Sequence, residues 1–480
     1  MYNAYITKVK NVRPHSNADR LDLGDCFGNT VCFTKGQFVE GELVVYFPVD
    51  GQLSEEFCQV HDLVRRKDDA GNPCGGYLEP DKRNIKAIRL RGEKSDGLAM
   101  PLSCLEYTGV DIRTLEAGFC FTVINGHSIC QKYIPRSNRC AAAGSGNRTR
   151  KHKTPVAPLF AEHADTEQLA YNLGAFRPGD EIEITLKMHG TSGRTAHLPV
   201  LKGYRRTLLD RLFRREGTPI YEYDYVSGTR RVVLEDYEGG FYGDNAFREQ
   251  HSKVFEGKLH QGETAYYEIV GFTNSGAPIM SQAANKKMND KDFIKQYGET
   301  TTFSYGCSPT GEGEPIDYWD DEKTQPCTIP ILPISDMYVY RMTYTSPEGY
   351  VIEYTPDMMR RRCEEMGVKT VPVFYKGFIE TDTTKEKPIY YLIGQNSLDI
   401  YSKESAGSAV QTMAECFYDG PDPIGKTHVR EGVVVRIINR PKFTAYKHKN
   451  FAFKVLEGIC KNDATEPDME EMQEEFKETR

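Results

Sequence analysis

The sequence lacks any apolar run of about 20 residues, the length that a helix needs to cross a bilayer. Its first residues also lack the basic-then-apolar layout of a secretory signal. The 13 cysteines are odd in number and scattered, which is not the pattern of a disulfide framework. These absences predict a cytoplasmic protein that does not enter a membrane and whose thiols are reduced.

Positive charge is also in short supply, with 61 lysines and arginines against 69 aspartates and glutamates and a net charge of −8. This balance argues weakly against a nucleic-acid partner, but a phosphate backbone responds only to the surface that it touches. Acidic residues are partly concentrated at 466–478, whereas the stretches 82–94, 148–153 and 202–215 are basic. The basic residues that we expect to contact nucleic acid are Arg89, Arg91, Arg148, Arg150, Lys151, Arg205 and Arg206.

The length of 480 residues, 39% of them hydrophobic, fits two or three domains. In the first part, short apolar runs at 4–9, 30–33 and 43–47 alternate with turn residues, which is typical of a small β-barrel or sandwich. Residues 137–153 are rich in Gly, Ala, Ser, Asn and basic side chains. Such a composition buries too little apolar surface to fold alone, so it predicts a linker.

An octet near the start, Pro14 to Leu21 (PHSNADRL), resembles the signature of the tRNA-binding OB domains attached to synthetases. The resemblance implies that the β-rich part is an OB-like domain that contacts nucleic acid.

The second part predicts a mixed α and β domain with a largely antiparallel core. The run Asp165–Leu169, an aspartate with a glutamine three residues later, indicates a capped helix start. The alternating run from Glu181 to Leu186 is typical of a half-buried strand that ends at Lys187. Leucines and arginines from Gly203 to Arg215 are spaced as on a helix. The remaining predicted elements are strands at 266–272, 338–344 and 432–438 and a helix beginning at Thr355-Pro356.

Six short motifs occur in this second domain. The first, Leu186-Lys187-Met188-His189-Gly190-Thr191-Ser192, resembles the K-x-x-G motif of DNA ligases, RNA ligases and mRNA capping enzymes. The others that resemble motifs of this superfamily are Ser227–Arg231, Tyr266–Gly271, Tyr338–Arg341, Glu431–Arg436 and Tyr446–Lys449. A lysine and a glycine at this spacing are common by chance, whereas six motifs in the superfamily's order are not.

The resemblance implies a role for each motif. Lys187 would be the nucleophile, with His189 and Gly190 beside the nucleotide. The other implied roles are Arg230 or Arg231 at the nucleotide and the 5′-phosphate end, Glu268 at the ribose, Tyr340 stacked on adenine, Glu431 as the metal-associated carboxylate, and Lys447 and Lys449 at the α-phosphate.

The details are similar to those of nick-sealing RNA ligases, and the leading OB-like domain is similar to their Deinococcus-type subgroup. The implied fold class is α+β: an OB-like β-barrel over 1–135, a basic flexible linker over 136–155, an antiparallel-sheet nucleotidyltransferase domain over 156–462 and an acidic tail over 463–480. The implied cofactors are ATP, held as AMP on Lys187, and Mg²⁺ or Mn²⁺. The implied partner is RNA or an RNA/DNA hybrid with 5′-phosphate and 3′-hydroxyl ends, sealed for RNA repair by a monomer. The chain departs from the pattern by insertions at 203–215 and 308–321.

The residue types suit this chemistry without the resemblance. A lysine with the ordinary pKa of about 10.4 is almost wholly protonated at pH 7 and is a poor nucleophile. Neighbouring cations such as Lys447, Lys449 and Mg²⁺ disfavour a further positive charge. Phosphoryl transfer depends mainly on positioning and charge neutralisation, for which lysines, an arginine and a metal-binding glutamate are suited.

Other interpretations remain open at this stage. An mRNA capping guanylyltransferase or a DNA ligase uses the same lysine chemistry. A non-catalytic RNA-binding protein built on the OB domain is the alternative from another class. Structural salt bridges are the alternative for Glu268 and Glu431.

Overall fold

The structure is a computed structural model that describes residues 2–67, 73–133, 155–164, 166–208, 210, 213, 217–230, 232–234, 237, 245–274, 279, 286–287, 300–301, 335–385, 387–394, 400–424, 429–451 and 453–454. These residues fall into two units. The N-terminal unit is drawn from residues 2–133 together with Phe451, Phe453 and Lys454, and the second unit from residues 155–450.

The described residues of the N-terminal unit form short strands, one short α-helix and two 3-10 helices. Its strands are β1 (Ala4–Lys8), β2 (Lys10–Pro14), β3 (Leu21–Cys26), β4 (Asn29–Thr34), β5 (Leu43–Phe47), β6 (Gly51–Leu53), β7 (Arg65–Lys67), β8 (Pro73–Gly75), β9 (Ala87–Leu90), β10 (Glu93–Asp96), β11 (Leu98–Pro101), β12 (Cys120–Phe121), β13 (Val123–Ile124), β14 (His127–Ser128) and β15 (Cys130–Lys132). The helix α1 (Glu55–Val60) begins at Ser54, whose hydroxyl accepts from the Phe57 N–H. The strands predicted at 4–9, 30–33 and 43–47 are confirmed.

The two larger sheets of this unit have the orders β11-β5-β1-β12 and β2-β3-β4. The core beside the first of these sheets contains fully buried Ile6, Val45, Phe47 and Leu105. Hairpin β9–β10 turns at Arg91, whose φ is +46°, and at the following glycine, whose φ is +97°. Positive φ at both turn residues is the type I′ geometry that matches the twist of paired strands.

Among the described residues, the main elements of the second unit are two seven-stranded sheets, one two-stranded sheet and three helices with described bounds. Its strands are β16 (Glu167–Gln168), β17 (Glu181–Leu186), β18 (Thr191–Arg205), β19 (Thr218–Gly228), β20 (Val233–Leu234), β21 (Glu263–Gly271), β22 (Lys286–Lys287), β23 (Thr300–Thr301), β24 (Ser335–Thr345), β25 (Val351–Glu353), β26 (Lys369–Thr370), β27 (Val373–Asp382), β28 (Ile389–Gly394), β29 (Tyr401–Ser402), β30 (Gly432–Ile437) and β31 (Thr444–Lys449). The helices are α2 (Ala246–Lys253), α3 (Pro356–Met366) and α4 (Ala406–Glu415).

Sheet 1 has the strand order β16-β31-β30-β17-β27-β28-β29. Strand β17 lies between β30 and β27 and is antiparallel to both. One face of sheet 1 packs on α4, where Ile182, Ile184 and Val433 meet Val410 and Met413. The other face therefore carries the alternate residues of β17, including Glu183.

Sheet 2 has the order β20-β19-β18-β21-β24-β25, with β26 also pairing with β24. Helices α2 and α3 cover one face, where Phe247 and Met359 pack with Tyr267 and Val339. Strands β21 and β24 pair from Glu263 opposite Tyr344 to Gly271 opposite Ser335. Except for β16 with β31 and β24 with β26, the strand pairings described in the two sheets are antiparallel, as predicted.

In the described residues one predicted helix is wrong, and another begins later than predicted. Instead of beginning at Gly203, the helix predicted over 203–215 starts after strand β18, which continues to Arg205 because Gly203 to Arg205 pair with β19 beyond a bulge after Leu201. Leu208 and Asp210 are helical, and the Thr207 hydroxyl accepts from the Asp210 N–H at 3.2 Å. Instead of a capped helix at 165–169, Glu167 and Gln168 form β16 beside β31 and are followed by a short 3-10 turn. Pairing with distant strands overrides the local signals at both places.

The helix predicted at Thr355 is confirmed, since the Thr355 hydroxyl accepts from the Met358 N–H and Pro356 is the first residue of α3. Among the described residues, no helix is both long and apolar enough to span a bilayer. The nine cysteines that the structure describes are all free.

Candidate active site

Lys187 lies where strand β17 ends, as predicted. Its backbone N–H donates to the Gly432 carbonyl at 3.0 Å, so pairing with β30 extends to this residue. The Lys187 ammonium is 2.7 Å from Oε1 of Glu431. Its side chain remains 22% exposed, which leaves it accessible to a bound molecule.

Glu431 is the centre of a compact group of cations. Its side chain is 5% exposed, and Oε1 also lies 3.3 Å from Nζ of Lys449, while Oε2 lies 3.5 Å from Nδ1 of His189. Burial alone would raise the pKa of the Glu431 carboxyl, but the ammonium groups of Lys187 and Lys449 and the hydrogen bond from His189 hold it well below its usual value. Glu431 is therefore an ionised carboxylate at neutral pH.

Strand β31 supplies the two predicted phosphate-binding lysines. Lys447 and Lys449 alternate with buried His448, so both lysines point to the face that carries Glu431. Gly432 lies opposite Lys449 with a φ of +147°, and a β-carbon on it would overlap the His448 carbonyl oxygen. Glycine is therefore required for β30 to approach the lysine-bearing strand.

The K-x-x-G segment passes from sheet 1 to sheet 2 and brings Lys187 towards Glu268. A β-carbon on Gly190 would overlap the carbonyl oxygen of Ile269 and would lie 3.0 Å from Cγ of Glu268. Glu268 itself pairs across strands with Ser192 and Tyr338. The first and third motifs therefore meet at Gly190, and the close approach explains why that residue is glycine.

Tyr340 is placed by an irregularity in β24. Tyr266 pairs with Arg341 and Tyr267 pairs with Val339, so Tyr340 is the extra residue of a β-bulge. A bulge redirects the side chain at that position. Tyr340 packs against the cluster that contains Leu186, Met188, Val270 and Tyr338, which joins the two sheets beside Lys187.

His163 is a residue of this site that the sequence did not reveal. Its ring lies 5.2 Å from that of Tyr340 and 5.4 Å from that of Tyr266, edge-on to both. Its backbone N–H donates to the carbonyl of Arg230 at 3.2 Å. His163 therefore connects the second motif to the aromatic motif, a role that its sequence context did not predict.

Two buried arginines hold the strand that follows the first motif. From α2, Arg248 donates to the Ser192 carbonyl at 2.9 Å and to the Thr191 hydroxyl at 2.5 Å. Arg194 is 1% exposed, stacks 4.0 Å from the Phe160 ring centre and donates to the Thr229 carbonyl at 2.8 Å. Burial lowers the pKa of Arg194. Sequence reasoning missed both, because their partners are distant in the chain.

A second buried ionic group joins the two sheets. Glu183 on β17 is 3% exposed and lies 2.7 Å from Nη1 of Arg360 on α3. Burial raises the pKa of Glu183 despite the nearby Arg360, Arg436 and Lys376. Arg436 on β30 in turn lies 3.6 Å from Glu353 on β25. These pairs fix the spacing of the sheets between which the lysines lie.

Several predicted residues lie elsewhere or outside the described residues. Arg230 is half-buried, whereas Arg231, Arg148, Arg150 and Lys151 lie outside the described residues. Arg89 is in β9 with its side chain outside them, and Arg91 is exposed at the hairpin turn of the N-terminal unit. Arg205 and Arg206 are exposed at and after the end of β18. Their contact with nucleic acid stays a prediction.

Glu431 is a suitable ligand for the divalent metal ion that was expected. Magnesium is held by one or two carboxylates together with phosphates and waters, and Glu431 is an ionised carboxylate beside the lysines expected at the α-phosphate. Among the described residues, no three His, Cys, Asp or Glu side chains are grouped as a metal cage. The donor set therefore fits an ion that is shared with a bound phosphate.

The fold is of the predicted class, an N-terminal OB-fold domain followed by a sheet-rich α+β unit. A model of an OB-fold domain matches residues 3–102. Comparison with curated protein sequences gives no match.

Among solved structures, the chain is similar to a mutant Naegleria gruberi RNA ligase with AMP and manganese, at 16% identity over 95% of this chain and 98% of that chain, with a TM-score of 0.52. It is similar to the same ligase with pyrophosphate at 16% identity over 94% and 97%, with a TM-score of 0.51. A mutant of that ligase with ATP and manganese also matches at 16% identity over 95% and 98%, with a TM-score of 0.50. This likeness is one of fold.

Proposed function

We propose that this chain is an ATP-dependent RNA ligase that carries AMP on Lys187. The observation that supports the proposal most directly is the group formed by Lys187, Glu431 and Lys449, in which both ammonium groups lie within 3.3 Å of the same carboxylate oxygen. A structural salt bridge needs only two of these residues. A second lysine from another strand adds a cation where a transferring phosphate would need one.

The nucleotide occupies the space between the sheets in this proposal. Tyr340 and His163 provide aromatic surface for adenine, Glu268 accepts from the ribose hydroxyls, and Lys447 and Lys449 bind the α-phosphate. Arg230, beside His163, binds the 5′-phosphate end, and His189 keeps Glu431 oriented. The fold similarity to an RNA ligase with bound AMP or ATP supports this placement.

Three transfers then join two ends. The neutral amine of Lys187, having released its proton to solvent, attacks the α-phosphorus of ATP; an N–P bond forms, and the P–O bond to pyrophosphate breaks. A 5′-phosphate oxygen next attacks that phosphorus, the N–P bond breaks and the A(5′)pp(5′)N end leaves Lys187. The 3′-hydroxyl finally attacks the 5′-phosphorus and releases its proton to solvent; a P–O bond forms between the strands, and the P–O bond to AMP breaks as AMP departs with the electron pair.

Glu431 orients the lysine and holds the divalent metal ion. At 2.7 Å, its carboxylate fixes the direction of the Lys187 side chain. When bound, Mg²⁺ or Mn²⁺ neutralises phosphate charge and polarises the phosphorus under attack. Because the carboxylate is buried and ionised, it is ready to accept the ion without prior loss of a proton.

The substrate in this proposal is a nick in an RNA-containing duplex, either RNA or an RNA/DNA hybrid, with 5′-phosphate and 3′-hydroxyl ends. The OB-fold domain contributes a surface for the phosphate backbone, because domains of this fold commonly bind oligonucleotides. The protein acts in the cytoplasm as a monomer of the Deinococcus-type, nick-sealing kind, in RNA repair.

The decisive experiment measures protein mass after incubation with ATP or GTP, followed by joining of nicked duplexes with RNA or DNA on each side. We expect one added AMP, its absence in Lys187→Ala, and joining when RNA flanks the nick. Lys202→Ala is a matched control, since Lys202 is a part-exposed lysine on β18 paired with Asp224. A GMP adduct would indicate a capping enzyme, joining of DNA alone a DNA ligase, and no adduct a non-catalytic protein.

A further inference from the structure

The chain passes directly from the lysine-bearing strand β31 into the N-terminal unit. Lys449 ends β31, and the next residue, Asn450, is fixed in the second unit: its N–H donates to the Glu431 carbonyl at 2.9 Å and its side chain to Asp419 at 2.7 Å. Phe451 already belongs to the N-terminal unit. Only Asn450 therefore separates a predicted phosphate-binding lysine from a residue of that unit.

Hairpin β9–β10 contacts Phe451 and Lys454, which follow Asn450 in the chain. Phe451 is 8% exposed and packs on Ala87 of β9, with the Lys94 ammonium 5.7 Å from its ring centre. Nζ of Lys454 lies 2.6 Å from Oδ2 of Asp96 at the end of β10, and the two side chains are 14% and 5% exposed. An ion pair this buried is costly to break, because a lone charge would remain.

The octet Pro14–Leu21 also holds hairpin β9–β10 through hydrogen bonds. The Asn17 N–H donates to Nδ1 of His15 at 3.0 Å, so Nε2 is the ring nitrogen that donates to the Leu90 carbonyl at 2.9 Å. The Asn17 side-chain amide donates to the Arg91 carbonyl at 3.2 Å. Arg91 has a positive φ, a conformation that needs such support.

We propose that hairpin β9–β10 positions Lys447 and Lys449 for AMP transfer by holding Phe451 and Lys454, without itself touching the nucleotide. The inference rests on the proposed function of the second unit. Lys449 is useful only at a set distance from Glu431 and the phosphate, and displacement by about 1 Å can cost about 100-fold in rate. The N-terminal unit thus has a role in the nucleotide reaction that is separate from gripping nucleic acid.

The kinetic test uses Asp96→Asn and Lys454→Met in the full chain, without nucleic acid. We expect each to lower kcat for AMP transfer about 10-fold, within the range for a small misplacement, and to change KM for ATP little, because Glu268 and Tyr340 are untouched. Lys454→Arg should restore kcat, since a guanidinium keeps the pair with Asp96. A parent-like kcat in both variants would overturn the proposal.

A matched control is Glu79→Gln. It removes a carboxylate that lies 3.2 Å from Lys86 in the same unit and is not one of the hairpin residues that hold Phe451 and Lys454. Its kcat should equal that of the parent. An equal loss in Glu79→Gln would show general destabilisation of the unit and would also overturn the proposal.

Hydrogen exchange separates this inference from the proposed function. Without ATP, backbone amides of β31 should exchange faster in Lys454→Met than in the parent, and at the parent rate in Lys454→Arg. If β31 exchanged faster in Lys454→Met but the parent never gained AMP, the ligase proposal would be refuted, while the positioning role of the hairpin would still hold. Unchanged exchange would overturn that positioning role, whatever the activity. If Lys454→Met does not fold, the near-isosteric Asp96→Asn gives the same comparison.

Discussion

Replacing Glu431 by glutamine removes the negative charge at the centre of the site and keeps its shape. The carboxylate faces two ammonium groups at 2.7 and 3.3 Å. With an effective dielectric constant of about 20, each contact corresponds to roughly 5–6 kcal/mol of gross attraction. Desolvation offsets much of this, at several kcal/mol per ion. Because Lys187 and Lys449 are partly exposed, we expect Glu431→Gln to lower the free energy of unfolding by about 3 kcal/mol, the low end of the range for breaking a buried ion pair.

The effect should depend on pH with a definite sign. The pKa of Glu431 is lower in the folded protein than in the unfolded chain, where a glutamate has a pKa of about 4.3. Its stabilisation is therefore complete above the unfolded pKa and is lost as pH falls through the folded pKa. The stability difference between parent and Glu431→Gln should be constant from pH 6 to 8 and should narrow below about pH 4.

Urea unfolding of parent and variant, followed by fluorescence at several pH values, measures this difference. Glu181→Gln is the matched control, since Glu181 is a half-buried carboxylate on β17, 3.5 Å from Lys376. Its loss should cost less than about 1 kcal/mol. The reasoning would be refuted if Glu431→Gln cost no more than Glu181→Gln, or if the difference did not narrow in acid.

Three further predictions follow from the same geometry. Lys187→Ala should abolish the AMP adduct in mass spectra while Glu431 keeps its pair with Lys449, so the far-ultraviolet spectrum should not change; an adduct in this variant would sink the assignment. Lys449→Arg should not fully restore AMP transfer lost in Lys449→Ala, because a guanidinium fork differs from a compact ammonium; equal rates for arginine and lysine would count against a close phosphate contact. A fragment beginning at Lys151 should form the adduct more slowly than the full chain, seal nicks poorly and show a shallower dependence of binding on salt; full-length sealing rates at all salt concentrations would exclude the OB-fold domain as a substrate clamp.

Local patterns predicted the elements that carry the first and fourth motifs. The alternation of Glu181–Leu186 gave a strand with Lys187 at its end, and the apolar run after Glu431 gave β30. These patterns are sufficient because a buried strand carries apolar residues either at alternate positions, as in β17, or in a continuous run, as in β30. The resemblance implied that Lys187, Glu431 and Lys449 act on one nucleotide, and in the structure both lysines contact the Glu431 carboxylate. Their roles stay predictions.

Contacts between distant parts of the chain could not be predicted in this way. His163 and Arg248 act through partners far away in sequence, and neither belongs to a motif or a periodic pattern. The expected helix begins after Arg205 rather than at Gly203, because the spacing of its leucines says nothing about strand β19, with which the backbone of Gly203 to Arg205 pairs. The passage of the chain from Asn450 into the N-terminal unit has no signature in composition at all.

The pairing of Gly271 with Ser335 has a consequence for how this catalytic unit can vary. The chain leaves sheet 2 at one of these residues and returns at the other, and the two are direct neighbours across adjacent strands. A segment that joins Gly271 to Ser335 begins and ends at adjacent positions, whatever its length. The entropic cost of closing such a loop grows only slowly with its length. Segments of different length can therefore be inserted or deleted between Gly271 and Ser335 while Glu268 and Tyr340 keep their register.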